Sequence, residues 1–448
     1  MAGDNGQDTA YYDLGSYTWP VTTQDPQAQL WFDRGLAWCY GYHHEEAIAC
    51  FERAVDHDPN LAMAHWGIAY AIGPNYNKPW EDFDDDDKCQ SLDRALAATA
   101  AAADAAVAAG ATDVEHALIG ALAARYPSSS DEPSGIADFG PWNDAYADAM
   151  RAVYRTHPDD LDVCALFAEA IMNRTPWDLW DLVTGQPATG ASTLEAIEVL
   201  ETAFRDLDSN GANQHPGLLH MYIHLMEMSP HPERALKAGD TLVDLVPDAG
   251  HLVHMPTHID VLCGHYQNVV ARNSAAVVAD RRYLDAEGPM NFYSTYRCHN
   301  YHFKVYGAMF LGQYGPAADA ADEMIRTLPA ELLRTGSPPM ADWLEGFVPV
   351  KQHVLIRFGK WQEILDQPFP GDADLYCVTT AMMRYARAVA YASTERVDEA
   401  VAEQQAFFAA RDRVPESRML FNNTCLDILA VAEAMMTGEV EYRRGNLD

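Results

Sequence analysis

The sequence predicts an all-α fold: helical hairpins in tandem, curling around a concave groove. Three observations predict it. No stretch of any length alternates apolar and polar residues as a half-buried strand does. A Gly-containing turn signature returns along the chain, as Gly264-His265-Tyr266, Gly312-Gln313-Tyr314 and Gly359-Lys360-Trp361. Small residues, aromatics and closing prolines recur at helical offsets around those turns. The 448 residues are 48% apolar and 10% aromatic. That is enough to bury a large core, in several domains or one extended array.

The first hairpin is the clearest. Gln27 to Pro59 reads as two helices, with Gly35 in the first. Ala47, Phe51, Ala54 and Pro59 then fall where a tetratricopeptide repeat places its small, aromatic, small and terminating residues. Small residues let two helices approach closely, and the proline stops the second helix so the chain can turn. Later units close at Pro247, Pro329 and Pro415. The organisation expected is an N-terminal extension over 1–24, helical repeats with loop insertions over 25–200, and further repeats over 201–448.

Four stretches depart from the repeat. Gly73 to Asp87 reads as a loop with a solvated acidic run, and Ala95 to Ala109 as a packed helix rich in alanine. Tyr126 to Gly140 reads as a Ser/Pro/Asp-rich loop. Asn173 to Ser192 is a long irregular segment carrying Trp177 and Trp180, the kind of ordered loop that shapes a binding site.

Charge and targeting exclude several function classes. Sixty-six acidic residues against 30 basic give a net charge of −36, which repels nucleic-acid backbones and anionic membranes. Met1 to Tyr11 lacks the basic start and apolar stretch of a signal peptide, and no run of 18 apolar residues exists. The eight cysteines are scattered without a CxxC, so the expected compartment is the reducing cytoplasm.

Ten of the 17 histidines lie between His215 and His302, at helical spacings. His220, His224 and Glu227 are i, i+4, i+7, which share one helix face. His251, His254 and His258 are i, i+3, i+7, with Pro256 inside the stripe as a kink or a helix start. His299 and His302 are i, i+3 on a third stretch. Each stretch is the first helix of its hairpin, and first helices line the concave face of such arrays. Seven imidazoles and a carboxylate would then meet, and imidazole is the commonest side-chain ligand for transition metals. The competing reading is a hydrogen-bonded network of neutral imidazoles with Tyr222, Tyr293, Tyr296 and Tyr301. His215 and His231 precede prolines and read as helix starts. His43, His44 and His265 read as turn residues. His57, His65, His116, His157 and His353 stand alone and read as structural.

The segments HPGLLHMYIHLMEMSPHPERAL, GHLVHMPTHI and CHNYHF resemble, in that order, the signature segments of a large group of bacterial and fungal tetratricopeptide-repeat proteins. GYHHEEAIACFERA, AHWGIAYAIGPNYN and NRTPWDLWD resemble that group too. The resemblance covers most of the chain. It implies an all-α repeat fold and supplies no substrate. It also implies that His220, His224, His254, His258, His299 and His302 stand at motif positions, together with His44. Members often carry Asn where this chain has His43.

Six or seven histidines exceed the needs of one metal, so two ions with about three imidazoles each is the simplest arrangement. Neutral nitrogen ligands suit both copper oxidation states, and a di-zinc or di-iron centre normally adds bridging carboxylates. The expected function is therefore a dinuclear copper-dependent oxidase or oxygenase of a small molecule, with zinc or iron as alternative metals. Glu227 is the candidate catalytic carboxylate. Trp177, Trp180, Tyr293 and Tyr296 would wall the pocket, with Asn173, Arg297 or Lys304 as polar anchors. The alternatives are a zinc-dependent hydrolase, metal storage, or an interaction module whose groove binds a peptide partner. HExxH, GxSxG and Walker-type motifs are all missing from the sequence.

Overall fold

The computed structural model describes residues 11–126, 138–210 and 214–446. Two of the expected segments, most of the 126–140 loop and the first ten residues of the N-terminal extension, lie outside the described residues. The chain divides into two compact units, residues 1–265 with 278–282, and residues 266–277 with 283–448.

The first unit is built from α1 (Pro26–Tyr40), α2 (His44–His57), α3 (Ala62–Ile72), α4 (Asp85–Ala109), α5 (Asp113–Leu122), α6 (Gly140–Thr156), α7 (Leu161–Met172), α8 (Thr193–Asn210), α9 (Pro216–Glu227), α10 (Leu236–Leu242), α11 (Gly250–His254) and α12 (Pro256–Leu262). Successive helices pack together across short turns, as hairpins do. Asp25 caps α1 by accepting from the Gln27 and Ala28 amides, and Pro26 opens the helix. Three residues later than Tyr40, His43 caps α2 through its imidazole, which accepts from the Glu46 amide. The hairpin closes tightly because Gly35 and, from α3, Gly67 leave room for the ring of Phe51. A Cβ at Gly35 would lie 2.6 Å from that ring, and one at Gly67 2.7 Å.

One expected loop is partly helix. Asp85, Asp86 and Asp87 form the first turn of α4, capped by Asp84, because carboxylates are favoured against the positive end of a helix dipole. The alanine stretch is the rest of that helix, burying Ala95, Ala102, Ala105 and Ala106 and ending at Gly110 with φ 69°. Residues 11–25 run over the unit as a strap. Tyr11 donates to Glu46, Tyr17 to Asp162, and the Thr22 amide and hydroxyl to Glu115.

The second unit contains α13 (Tyr266–Glu287) in the main, then α14 (Ser294–Phe310), α15 (Tyr314–Arg326), α16 (Ala330–Leu333), α17 (Met340–Leu344), α18 (Val350–Arg357), α19 (Trp361–Asp366), α20 (Cys377–Ser393), α21 (Val397–Arg411) and α22 (Cys425–Arg444). Cys298, Tyr301, Val305, Met324 and Phe347 are among its buried core residues. Around α20 and α22 a second core gathers Met382, Val389, Phe407 and Leu429. Glu345, fully buried, closes the start of α20 by accepting from the Val378 and Thr379 amides.

Among the described residues, β structure is limited to two antiparallel pairs of two-residue strands, Trp180–Asp181 with Gln186–Pro187 and Met419–Leu420 with Asn423–Thr424, and two isolated bridges, Asn75 with Lys78 and Gly336 with Pro339. No described helix is long and apolar enough to cross a membrane. All eight cysteines are free.

Candidate metal centre

Helix α9 is buried along its whole length, from Pro216 to Glu227. It earns that position by packing on α1, α7, α8, α10 and α12 at once. His215 caps its start, accepting from the Leu218 amide, while its Nε2 lies 3.2 Å from Asp162 Oδ1. Gly217 allows the helix to close on α1: a Cβ there would lie 2.6 Å from the Tyr40 ring. That close approach brings His220 Nδ1 to 2.6 Å from the Tyr40 carbonyl oxygen.

A carbonyl only accepts, so His220 carries its proton on Nδ1 and turns the Nε2 lone pair away from Tyr40. His224 repeats the arrangement with a different acceptor. Its Nδ1 donates to Glu227 Oε1 at 2.7 Å, one turn along the same helix. The Nε2 atoms of both residues are buried and have no hydrogen-bond partner among the described residues. One nitrogen each of His220, His224 and His251 lie within 4.8 Å of one another, and all three residues are buried. Burial pushes the His220 imidazole well below its ordinary range, and the neighbouring His224 adds to it. Burial lowers His224 as well, against the pull of Glu227. Both are therefore neutral at pH 7, the form that binds a metal.

The break that Pro256 suggests is present: α11 ends at His254 and α12 starts at Pro256. The stripe divides accordingly. His251 joins the α9 pair. His254 and His258 face each other instead, Nε2 to Nε2 at 2.8 Å. His258 Nδ1 meets Glu227 Oε2, so one carboxylate holds an imidazole on each of its oxygens. Burial alone would raise Glu227, but His258 and His224 outweigh it and hold the carboxyl at about 2. Asp260, two residues past His258, lies 3.6 Å from His265.

Aromatic rings cover the imidazoles. Tyr42, in the turn between α1 and α2, stacks on His224 and His251 and tilts against His220, at ring separations of 5.8, 5.8 and 4.6 Å. Tyr76 lies 4.9 Å and Trp177 5.7 Å from His224. Tyr42 has φ 55° and Trp177 φ 60°, a left-handed conformation that bulky side chains rarely adopt. Strain of that kind is retained where the surroundings over-determine it. Neither Tyr42 nor Tyr76 is reached by the spacing argument. Both were open to view in GYHH and GPNYN, two of the segments that carry the resemblance.

Trp180 is committed to the scaffold, its indole N–H donating to the Leu225 carbonyl at 2.7 Å. Asn173 caps the end of α7 and contacts Glu169. Within the second unit, His299 lies against Phe303 and Phe421, and His302 against Phe347. Tyr293 and Tyr296 stack at 5.6 Å, and Arg297 donates to the Thr327 carbonyl at 3.0 Å.

No protein-family model matches the chain, and no curated protein matches it. Among solved structures, it matches the crystal structure of the P58(IPK) TPR domain at 13% identity, over 93% of this chain and 98% of that one, with a TM-score of 0.19. It also matches the APC/C hetero-tetramer Cut9-Hcn1 at 11% identity, over 94% and 74% of the two chains, with a TM-score of 0.27. Such scores transfer nothing from either protein. The all-α hairpin packing and the buried triad stand on the chain's own geometry.

Proposed function

We propose that the chain is a histidine-ligated metalloprotein, and that His220, His224 and His251 hold a transition-metal ion. One observation carries this. Two buried imidazoles spend their Nδ1–H groups on a carbonyl and a carboxylate, and so aim Nε2 lone pairs, otherwise without partners, at the same place as His251. An outer acceptor that fixes tautomer and ring direction is the usual support of a metal-bound histidine. The His254–His258 pair supplies ligands for a second ion, with Glu227 as the shared support. Glu227 is thereby a positioning residue. Both its oxygens are occupied by imidazoles, which leaves neither to shuttle a substrate proton.

Three neutral nitrogens, without thiolate or carboxylate in the set, favour copper. The activity that fits is oxidation or oxygenation of a small, partly aromatic or apolar molecule. Tyr42, Tyr76 and Trp177 supply an apolar surround that keeps bulk water from the metal. The scattered free cysteines support a reducing, cytoplasmic compartment.

A second reading has its own observation. Three histidines are also the protein ligand count of a catalytic zinc, which would lower the pKa of a bound water for hydrolysis. Metal analysis of protein purified without an affinity tag, followed by a spectrum in air, separates the two. Copper and oxygen consumption support oxidation. Activity with zinc alone under strict anaerobiosis replaces it with hydrolysis. If no metal binds, the chain is a helical-repeat interaction module, with its imidazoles in structural hydrogen bonds.

A further inference from the structure

A cavity of about 280 Å³ opens between α8, α9 and α10 in the first unit. Its floor is apolar, with Phe204, Leu219 and Tyr222 lining it. Its rim carries Arg205, Arg234 and Lys237 against one carboxylate, Glu201. Such a balance of charge is unusual on a chain with 66 acidic residues against 30 basic. Glu201 is already engaged, since it accepts from the Tyr222 hydroxyl at 2.8 Å and pairs with Arg234. The Arg205 guanidinium bonds a neutral group, Thr202 Oγ1, at 2.8 Å.

We propose that this cavity binds a small apolar carboxylic acid, with the acid group on Arg205 at the rim and the apolar body on Phe204, Leu219 and Tyr222. Two physical reasons select that class. A guanidinium matches a carboxylate in geometry and charge, so a charged head is recognised at the rim. The volume suits a single ring or a short chain and is at the small end for ligand pockets, which run from roughly 300 Å³ upward. A bare anion would leave the floor unfilled, and a neutral molecule would leave Arg205 without its partner.

The test uses full-length protein stripped of metal by a chelator, titrated calorimetrically with phenylacetate, phenylacetamide and inorganic phosphate. Phenylacetate should bind at least tenfold more tightly than either of the others, the ratio expected of a charge-assisted hydrogen bond added to apolar burial. Arg205→Ala, on an exposed position, should weaken phenylacetate about tenfold and leave thermal stability unchanged. Arg272→Ala, on α13, should have no effect on binding. Equal binding of acid and amide, equal binding of phosphate, indifference to Arg205→Ala, or no heat at millimolar ligand would each overturn the proposal. So would an affinity that changes when metal is restored, because the ligand would then be in the histidine cluster. Loss of metal binding by the His220–His224–His251 group leaves this cavity's test untouched, and the reverse also holds.

Discussion

Glu227 Oε1 lies 2.7 Å from His224 Nδ1, and its other carboxylate oxygen meets His258 Nδ1. A single side chain at the end of α9 thus orients an imidazole of its own helix and one from α12. Each Nδ1–H needs an acceptor, and a carboxylate supplies two. The first two predictions test that arrangement.

Glu227→Gln keeps one acceptor oxygen and turns the other into an NH₂ donor. That donor faces an imidazole N–H, so one of the two histidines must flip its tautomer or turn away. Metal affinity, measured by competition with a chelator, should fall about 10–100-fold, the usual cost of losing an outer-layer partner. Asp260→Asn, which touches His265, should leave it within about twofold of the parent. The opposite ranking would show that Asp260, not Glu227, supports the site.

His224→Ala removes a ligand rather than its support, so it should lower metal content per chain more steeply than Glu227→Gln does. His231→Ala is the control, because that side chain is exposed and pairs with Glu233. Unchanged stoichiometry in His224→Ala, determined by elemental analysis, would remove His224 from the ligand set.

Acid should begin to destabilise the metal-free protein through its buried imidazoles, from about pH 6.5 downward. Burial holds His43 and His44 at about 3 and His302 at about 4, against an ordinary 6.5. Between those values the unfolded chain binds protons that the folded chain refuses, so stability falls as pH is lowered through 6.5 towards 4. A fully buried imidazole such as His43 costs about 1.4 kcal/mol per pH unit in that window. Glu227 behaves oppositely: held at about 2 rather than 4.5, its contribution is intact above 4.5 and disappears only as pH falls through 2. Melting temperature should therefore drop continuously from pH 6.5 to 4. A flat profile over that range would mean that these imidazoles are solvated.

Gly35→Ala should destabilise the first hairpin, although alanine is the better helix former by about 1 kcal/mol. The added methyl would lie 2.6 Å from Phe51 Cδ1 and Cε1, and overpacking of a fixed ring costs roughly 1–3 kcal/mol. Phe51→Leu should reduce that cost, so the two substitutions should couple in a double-mutant cycle by denaturation. Additive effects would place the strain elsewhere.

The hairpins were legible because their signals are local. Ala47, Phe51 and Ala54 report helix contacts through spacing alone, and His220, His224 and Glu227 share a face by arithmetic. Pro256 marked the break between α11 and α12, yet spacing could not say that the break would send His251 to one group and leave His254 facing His258. Tyr42 and Tyr76 reach the imidazoles from turns. Their placement depends on backbone angles and long-range packing, and composition carries no trace of either. Trp180 was read as a pocket wall because tryptophan on a loop suggests one. Its N–H donates to the Leu225 carbonyl, a bond no spacing argument reaches.

The bond from His220 to the Tyr40 carbonyl joins positions 180 residues apart, and the third imidazole of the triad arrives only at His251. During synthesis the hairpin carrying Tyr40 and Tyr42 leaves the ribosome long before the histidines it will hold. A nascent chain halted before residue 251 has the cradle without its last ligand. On the proposed metal reading, acquisition would be a late event, and an ion taken up then would join α9 to α11 while His220 ties α9 to the end of α1.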